Sequence, residues 1–249
     1  MEISGSGIAE EIAAALEWWR EAGVDCAFED VPRQWLAPPV QDAKAPPVPV
    51  PAAPIAEPAM PAEAAIGGDP AVWPRELEGF RQWWITEPSL DGGRSGGRVA
   101  PRGNAGAALM VLVPEPEAED GVRLLSGAQG RLLDGFLAAA GIGLEDAYVA
   151  SALPRYTPAA DWPALTAHGL GAVVRHHVAL VRPARLLVFG SNLLPLVDND
   201  PANKADFSRR FNHEGISLPL LGARDLQALL QRPRGKAAVW RAWLDWTGG

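Results

Sequence analysis

Cysteine is nearly absent from this chain. Cys26 stands alone among 249 residues, so no internal disulfide and no four-cysteine metal site can form. Long apolar runs are missing too. Nowhere do eighteen apolar residues follow one another, and no membrane-spanning helix is expected. The opening, Met1-Glu2-Ile3-Ser4, has neither the basic start nor the apolar core of a secretory signal. The expectation is a soluble, cytoplasmic protein with no membrane partner. What is present in quantity is apolar surface: hydrophobic residues make up 48% of the chain, which rules out a wholly disordered protein.

Net charge is −8, unevenly spread. Residues 1–100 carry −9, residues 101–170 carry −4, and residues 171–249 carry +5. The basic C-terminal third suits contact with phosphate, although the chain as a whole is repelled by it. A solvated surface of uneven charge is the competing reading.

The chain divides into three parts. In residues 1–36, Ile8 to Ala22 sets Ile8, Ile12, Ala15, Leu16 and Trp19 near one helical face, with Gly23 as a helix stop. Residues 37–74 are rich in proline and alanine, and the ten prolines between Ala37 and Pro70 exclude a helix or a central strand there. Residues 75–249 alternate strands with helices. Helices are predicted at Arg75 to Ile85, Gly127 to Ala140, Pro163 to Val181, Asp225 to Leu230 and Gly235 to Trp246, with a further start at Asn192 to Val197. Strands are predicted at Ala108 to Val113, Ala147 to Ser151, Leu186 to Phe189 and Ile216 to Leu221, and Asp198 to Asn212 reads as a polar surface excursion. This order predicts an α/β domain with a mainly parallel, four-stranded sheet flanked by helices.

One stretch sets the place of a site. The apolar run from Ala108 to Val113 stops at Pro114 and is followed by Glu115, Glu117, Glu119 and Asp120. An acidic loop therefore follows the carboxyl end of a buried strand and precedes a helix, and ligands of open α/β sheets bind outside strand carboxyl ends.

The order of segments from about Glu76 onward resembles the uracil-DNA glycosylase superfamily, closest to its bacterial iron–sulfur group (family four). The resemblance is carried by Gly103-Asn104 before the Ala108 strand, Glu119-Asp120, Gly127-Ala-Gln-Gly-Arg-Leu-Leu133, Glu145-Asp146-Ala-Tyr148-Val149, Arg175-His-His-Val-Ala-Leu-Val-Arg-Pro183, the strand ending at Gly190, Leu229-Leu-Gln-Arg-Pro233 and Lys236-Ala-Ala-Val-Trp240. It implies a three-layer α/β/α fold and hydrolysis of the bond between uracil and deoxyribose, with the base lifted out of the stack into a pocket. It also implies a group that activates water, a ring that stacks on the base, an amide that reads its edge and a histidine that stabilises the departing anion.

The sequence departs from that pattern at each position. Pro114 stands where the water-activating glutamate is expected, and Val113 and Glu117 replace glycines. Leu125 replaces the stacking ring, Ser151 the reading amide, and Asp225 the histidine, placing a carboxylate where negative charge develops. The four ligand positions of the cluster fall near Trp83, in the following loop, and at Arg155 and Leu170; none is cysteine, so no cofactor and no metal are expected.

The expectation is a divergent member that has lost ordinary uracil excision and keeps its scaffold for binding a partner or, weakly, DNA; a separate alternative is an assembly adaptor whose N-terminal helix docks a partner protein. Pro114, Leu125 and Ser151 would line the base pocket, and Arg209, Arg210, Arg232, Arg234 and Lys236 would meet phosphate. The competing reading is an active base-excision enzyme in which Glu115 and Asp225 carry the chemistry; for the acidic cluster itself, a solvated turn is the simpler expectation. His176 and His177 are read as structural, and Trp240, Trp243 and Trp246 as packed.

Overall fold

The computed structural model describes residues 65–94, 96–197 and 208–248, with Ile12–Ala14, Glu17, Trp18 and Glu21. The chain falls into two compact units, Met1–Glu57 and Pro58–Gly249. In the first unit the described residues are helical, with Ile12 and Trp18 exposed. The rest of the helix expected from Ile8 to Ala22, and the proline-rich segment before residue 65, lie outside the described residues.

The second unit is an α/β domain. Its helices are α1 (Leu77–Thr86), α2 (Ala128–Ala139), α3 (Trp162–Ala167), α4 (Leu170–Val181), α5 (Leu194–Val197), α6 (Leu226–Gln231) and α7 (Pro233–Thr247). Its strands are β1 (Leu109–Val113), β2 (Ala147–Ser151), β3 (Leu186–Phe189), β4 (Ser208–His213) and β5 (Ile216–Ala223), in the order β2-β1-β3-β5-β4. β1 lies between β2 and β3, all of these pairs and β3–β5 are parallel, and β4 runs antiparallel at the edge. All five residues of β1 are buried, as a strand covered on both faces requires.

Period-two alternation sorts the core. Met110, Leu112 and Val188 join a cluster with Val174 and Val178 of α4. Leu109, Val111 and Leu187 join another with Leu133 of α2 and Trp243 of α7. A third cluster binds the N-terminal end of the domain: Trp73, Phe80, Trp84 and Leu90 pack with Val173, and the Trp73 indole N–H donates to Gly67 O at 2.6 Å.

Two expectations need correction. The sheet has five described strands, not four, because Ser208–His213, read as part of a surface excursion, is an edge strand. Its sequence, Ser-Arg-Arg-Phe-Asn-His, offers one apolar anchor, Phe211, which is fully buried; pairing with β5 supplies the rest. The helix expected from Pro163 to Val181 is two helices, broken at Gly169, whose φ of 92° no right-handed helix accommodates.

His177 of α4 is buried in this frame. Its ring centroid lies 4.4 Å from that of Phe80 and 6.0 Å from that of Trp84, and its Nε2 shares a 2.8 Å hydrogen bond with the Tyr148 hydroxyl. Burial lowers its pKa to about 3, helped by His176 and Arg81, while burial pushes Tyr148 up to about 12 against the opposing effect of Arg81. The unfolded chain therefore takes a proton on this imidazole near pH 6.5 and the folded chain only near 3. This contribution to stability is full above about pH 6.5 and lost as pH falls toward 3, at about 1.4 kcal/mol per pH unit within that window. Urea unfolding across this range should show a steeper acid loss for the parent than for His177→Gln; parallel pH profiles would refute the assignment.

Candidate functional site

The carboxyl ends of β1, β2, β3 and β5 open on one end of the sheet, and the loops that follow them meet there. The β1–β2 pairing runs past the strands: Ala152 N donates to Val113 O at 2.8 Å and Leu153 N to Pro114 O at 3.0 Å. Pro114 also comes close to the β3 end. A Cβ placed on Gly190 would lie 3.0 Å from Pro114 Cγ and 3.9 Å from Asp225 Oδ2. Glu115 feels the charge of Asp225 and accepts a hydrogen bond from the Thr157 amide. Pro114, Glu115 and Asp225, separated by some 110 positions in the chain, are thus brought together.

The acidic loop is divided by its hydrogen bonds. Helix α2 starts at Gly127, which has no side chain to cap it. The carboxylate of Glu117 takes that role from ten residues upstream, accepting from Gly127 N at 2.8 Å, Gln129 N at 2.8 Å and Gly130 N at 3.3 Å. An anion at a helix N-terminus is further favoured by the helix dipole. Asp120 folds the loop on itself: Oδ2 accepts from the Glu117 and Leu125 amides, at 2.8 and 2.7 Å, and Oδ1 accepts from the Ser126 amide and hydroxyl, both at 2.7 Å. A solvated acidic turn is therefore not what these residues make. Glu117 is 5% exposed, and only Glu119 of the four is open to solvent.

Glu115 is half-buried. Loss of hydration raises its pKa, the Thr157 amide pulls it down, and Asp225 raises it further. Asp225 caps α6: Oδ1 accepts from Gln227 N at 2.8 Å and Ala228 N at 3.4 Å. Chemically this is a carboxyl group whose proton is held to higher pH beside a second carboxylate, the arrangement from which general acid–base pairs are made.

The other expected pocket residues do not join this pair. Leu125 is 1% exposed, sits in the core beneath the loop, and adopts a left-handed backbone with φ 55°. Ser151 is 2% exposed, and its Oγ has no hydrogen-bond partner among the described residues. The expected phosphate contacts divide. Arg232, Arg234 and Lys236 are exposed around the α6–α7 junction, whereas Arg209 and Arg210 belong to β4, where the Arg210 guanidinium bonds Ser217 Oγ at 3.0 and 3.1 Å.

The residues at the expected cluster positions do not fit an iron–sulfur cluster. Arg155 Nε lies 3.5 Å from Asp91 Oδ2, and Arg98 Nη2 lies 2.5 Å from Asp91 Oδ1. Trp83 packs against Trp73 and Phe80, and Leu170 is a core residue. An ion-paired guanidinium and apolar side chains offer iron no ligand. Among the described residues, no group of three or more His, Cys, Asp and Glu side chains is placed to hold a metal, and no helix is long and apolar enough to cross a membrane.

The sequence did not reveal Thr157 or Asp91 as partners. The contacts they make span 42 residues to Glu115 and 64 to Arg155, with no local pattern to announce them. No family model matches this chain, and no curated protein matches it.

Proposed function

We propose that residues 75–249 are a divergent three-layer α/β/α domain of the uracil-DNA glycosylase type that no longer excises uracil in the ordinary way and serves as a binding scaffold for DNA or a protein partner. The observation that carries this reading is how the acidic loop is used. Glu117 and Asp120 are bonded to backbone amides of their own loop and helix, and Glu115 is held on the Thr157 amide. Leu125 and Ser151, where the resemblance expects base contacts, are closed off in the core. Exposed Arg232, Arg234 and Lys236 offer the phosphate contacts of a weak, salt-sensitive interaction with DNA.

A second reading has one observation in its favour. The raised pKa of Glu115 beside Asp225 is the property of a working acid, and a base-excision enzyme with relocated catalytic groups would use that pair.

Single-turnover assays on uracil-containing single-stranded and duplex DNA separate the two. The scaffold reading expects no base release from either substrate. Release that Glu115→Gln abolishes would establish the second reading in its place. Binding without release, weakening steeply with salt, supports a DNA scaffold, and no binding at low salt points to a protein partner.

A further inference from the structure

At the other end of the sheet, where β5 begins and α4 stops, a cleft of about 590 Å³ lies between α4, the β4–β5 turn and the segment around Trp73. It adjoins a second hollow of about 540 Å³ that shares Arg182, Glu214 and Ile216 with it. The length of β5 puts this cleft roughly 20–25 Å from the Glu115–Asp225 pair.

The charge on its walls is unbalanced. Arg75 and Arg182 both line it, both are exposed, and among the described residues neither guanidinium has a hydrogen-bond or ion-pair partner. His176 and His213 also line it, and burial holds the His213 imidazole below its ordinary pKa. The His176 ring is fixed by Trp73, at 5.3 Å between centroids, and by a 2.8 Å contact of Nε2 with Pro74 O. Among the described residues Glu214 is the only acidic one of the lining, and its carboxylate faces His213 at 3.7 Å. The cleft is thus cationic in a chain whose net charge is −8.

The backbone adds a second observation. Arg182 ends α4 with φ 50° and ψ 54°, a left-handed position that helices usually give to glycine. That conformation closes the helix, with the Arg182 N–H donating to Val178 O, and sets where the Arg182 side chain leaves the helix end. Offsetting the α4 dipole would account for one cation at this helix end, but not for a second unpaired guanidinium facing the same space.

We propose that this cleft binds a phosphate-bearing small molecule of about mononucleotide size. Guanidinium groups take phosphate oxygens in paired hydrogen bonds, and two of them suit a dianionic head group. Ala179, Leu180 and Ile216 provide apolar wall for the organic part, and the volume is that of an ordinary small-molecule site. This site is independent of the scaffold reading above.

The test is calorimetric titration of the full chain in chloride buffer with inorganic pyrophosphate and with a nucleoside monophosphate, using sulfate, a dianion like the monophosphate, as the control. Saturable binding of both phosphates, tighter than sulfate and weakened at least about tenfold in Arg75→Gln/Arg182→Gln, is the expected result. Both side chains are exposed, so the double variant should fold, and its circular dichroism and urea midpoint check that it does. Absence of saturable binding, equal affinity for sulfate, or an unchanged affinity in the double variant overturns the proposal. Failure of DNA binding with phosphate binding intact removes only the DNA arm of the scaffold reading.

Discussion

Gly130→Ala should destabilise the domain by about 3 kcal/mol or more, against the usual direction for a helical glycine. Gly130 lies in the first turn of α2, where the Leu125 carbonyl passes over it. An added Cβ would sit 1.9 Å from Leu125 O and 2.6 Å from Leu125 C. Both obstacles are backbone atoms, so no side chain can swing aside. Leu125 is itself held at φ 55°, and its amide is fixed on Asp120, so the loop has little room to retreat. Gly135, in the same helix, is the internal control: nothing lies within 4 Å of its Cβ position. Gly135→Ala should therefore stabilise by up to about 1 kcal/mol, since alanine loses less backbone entropy on entering a helix. Urea unfolding of the two variants decides the matter. Equal shifts of the same sign would mean that the loop does not press on α2 as described.

Glu117→Ala should cost about 3 kcal/mol. It removes a cap, ordinarily about 1 kcal/mol, and leaves buried amides of Gly127 and Gly130 without an acceptor, at about 1–3 kcal/mol for a group so stranded. Glu117→Gln should cost less, because one acceptor oxygen survives to reach Gly127 or Gln129. Glu115→Gln should be milder still, since Glu115 accepts from a single amide, that of Thr157. The ranking separates a structural carboxylate from one that faces the end of the sheet. Hydrogen exchange at Gly127, Gln129 and Gly130 should accelerate in the Glu117→Ala protein. A loss below about 0.5 kcal/mol, the range of ordinary surface changes, would contradict the capping role.

The sequence alone determined the α/β class and most of the element order. The run from Ala108 to Val113 is too apolar and too short for anything but a buried strand before Pro114, and β1 occupies Leu109–Val113. The strands at Ala147 to Ser151 and Leu186 to Phe189 fall where they were expected, because β-branched and apolar residues bounded by polar turns carry their own signal. β4 was hidden because an edge strand buries little; its state is decided by the partner lying beside it. The acidic loop was legible in place but not in use. Four carboxylates within six positions look alike in sequence, and only the path of the chain past α2 and Thr157 sets which of them bond backbone amides and which stands beside Asp225. The cationic cleft had no sequence signature at all. Arg75, Arg182 and His213 are far apart in the chain, and they meet only because α4 and the β4–β5 turn end on the same side of the sheet. Local pattern fixes which face of a segment is buried; long-range packing fixes which charges become neighbours, and the chemistry of a site depends on the second.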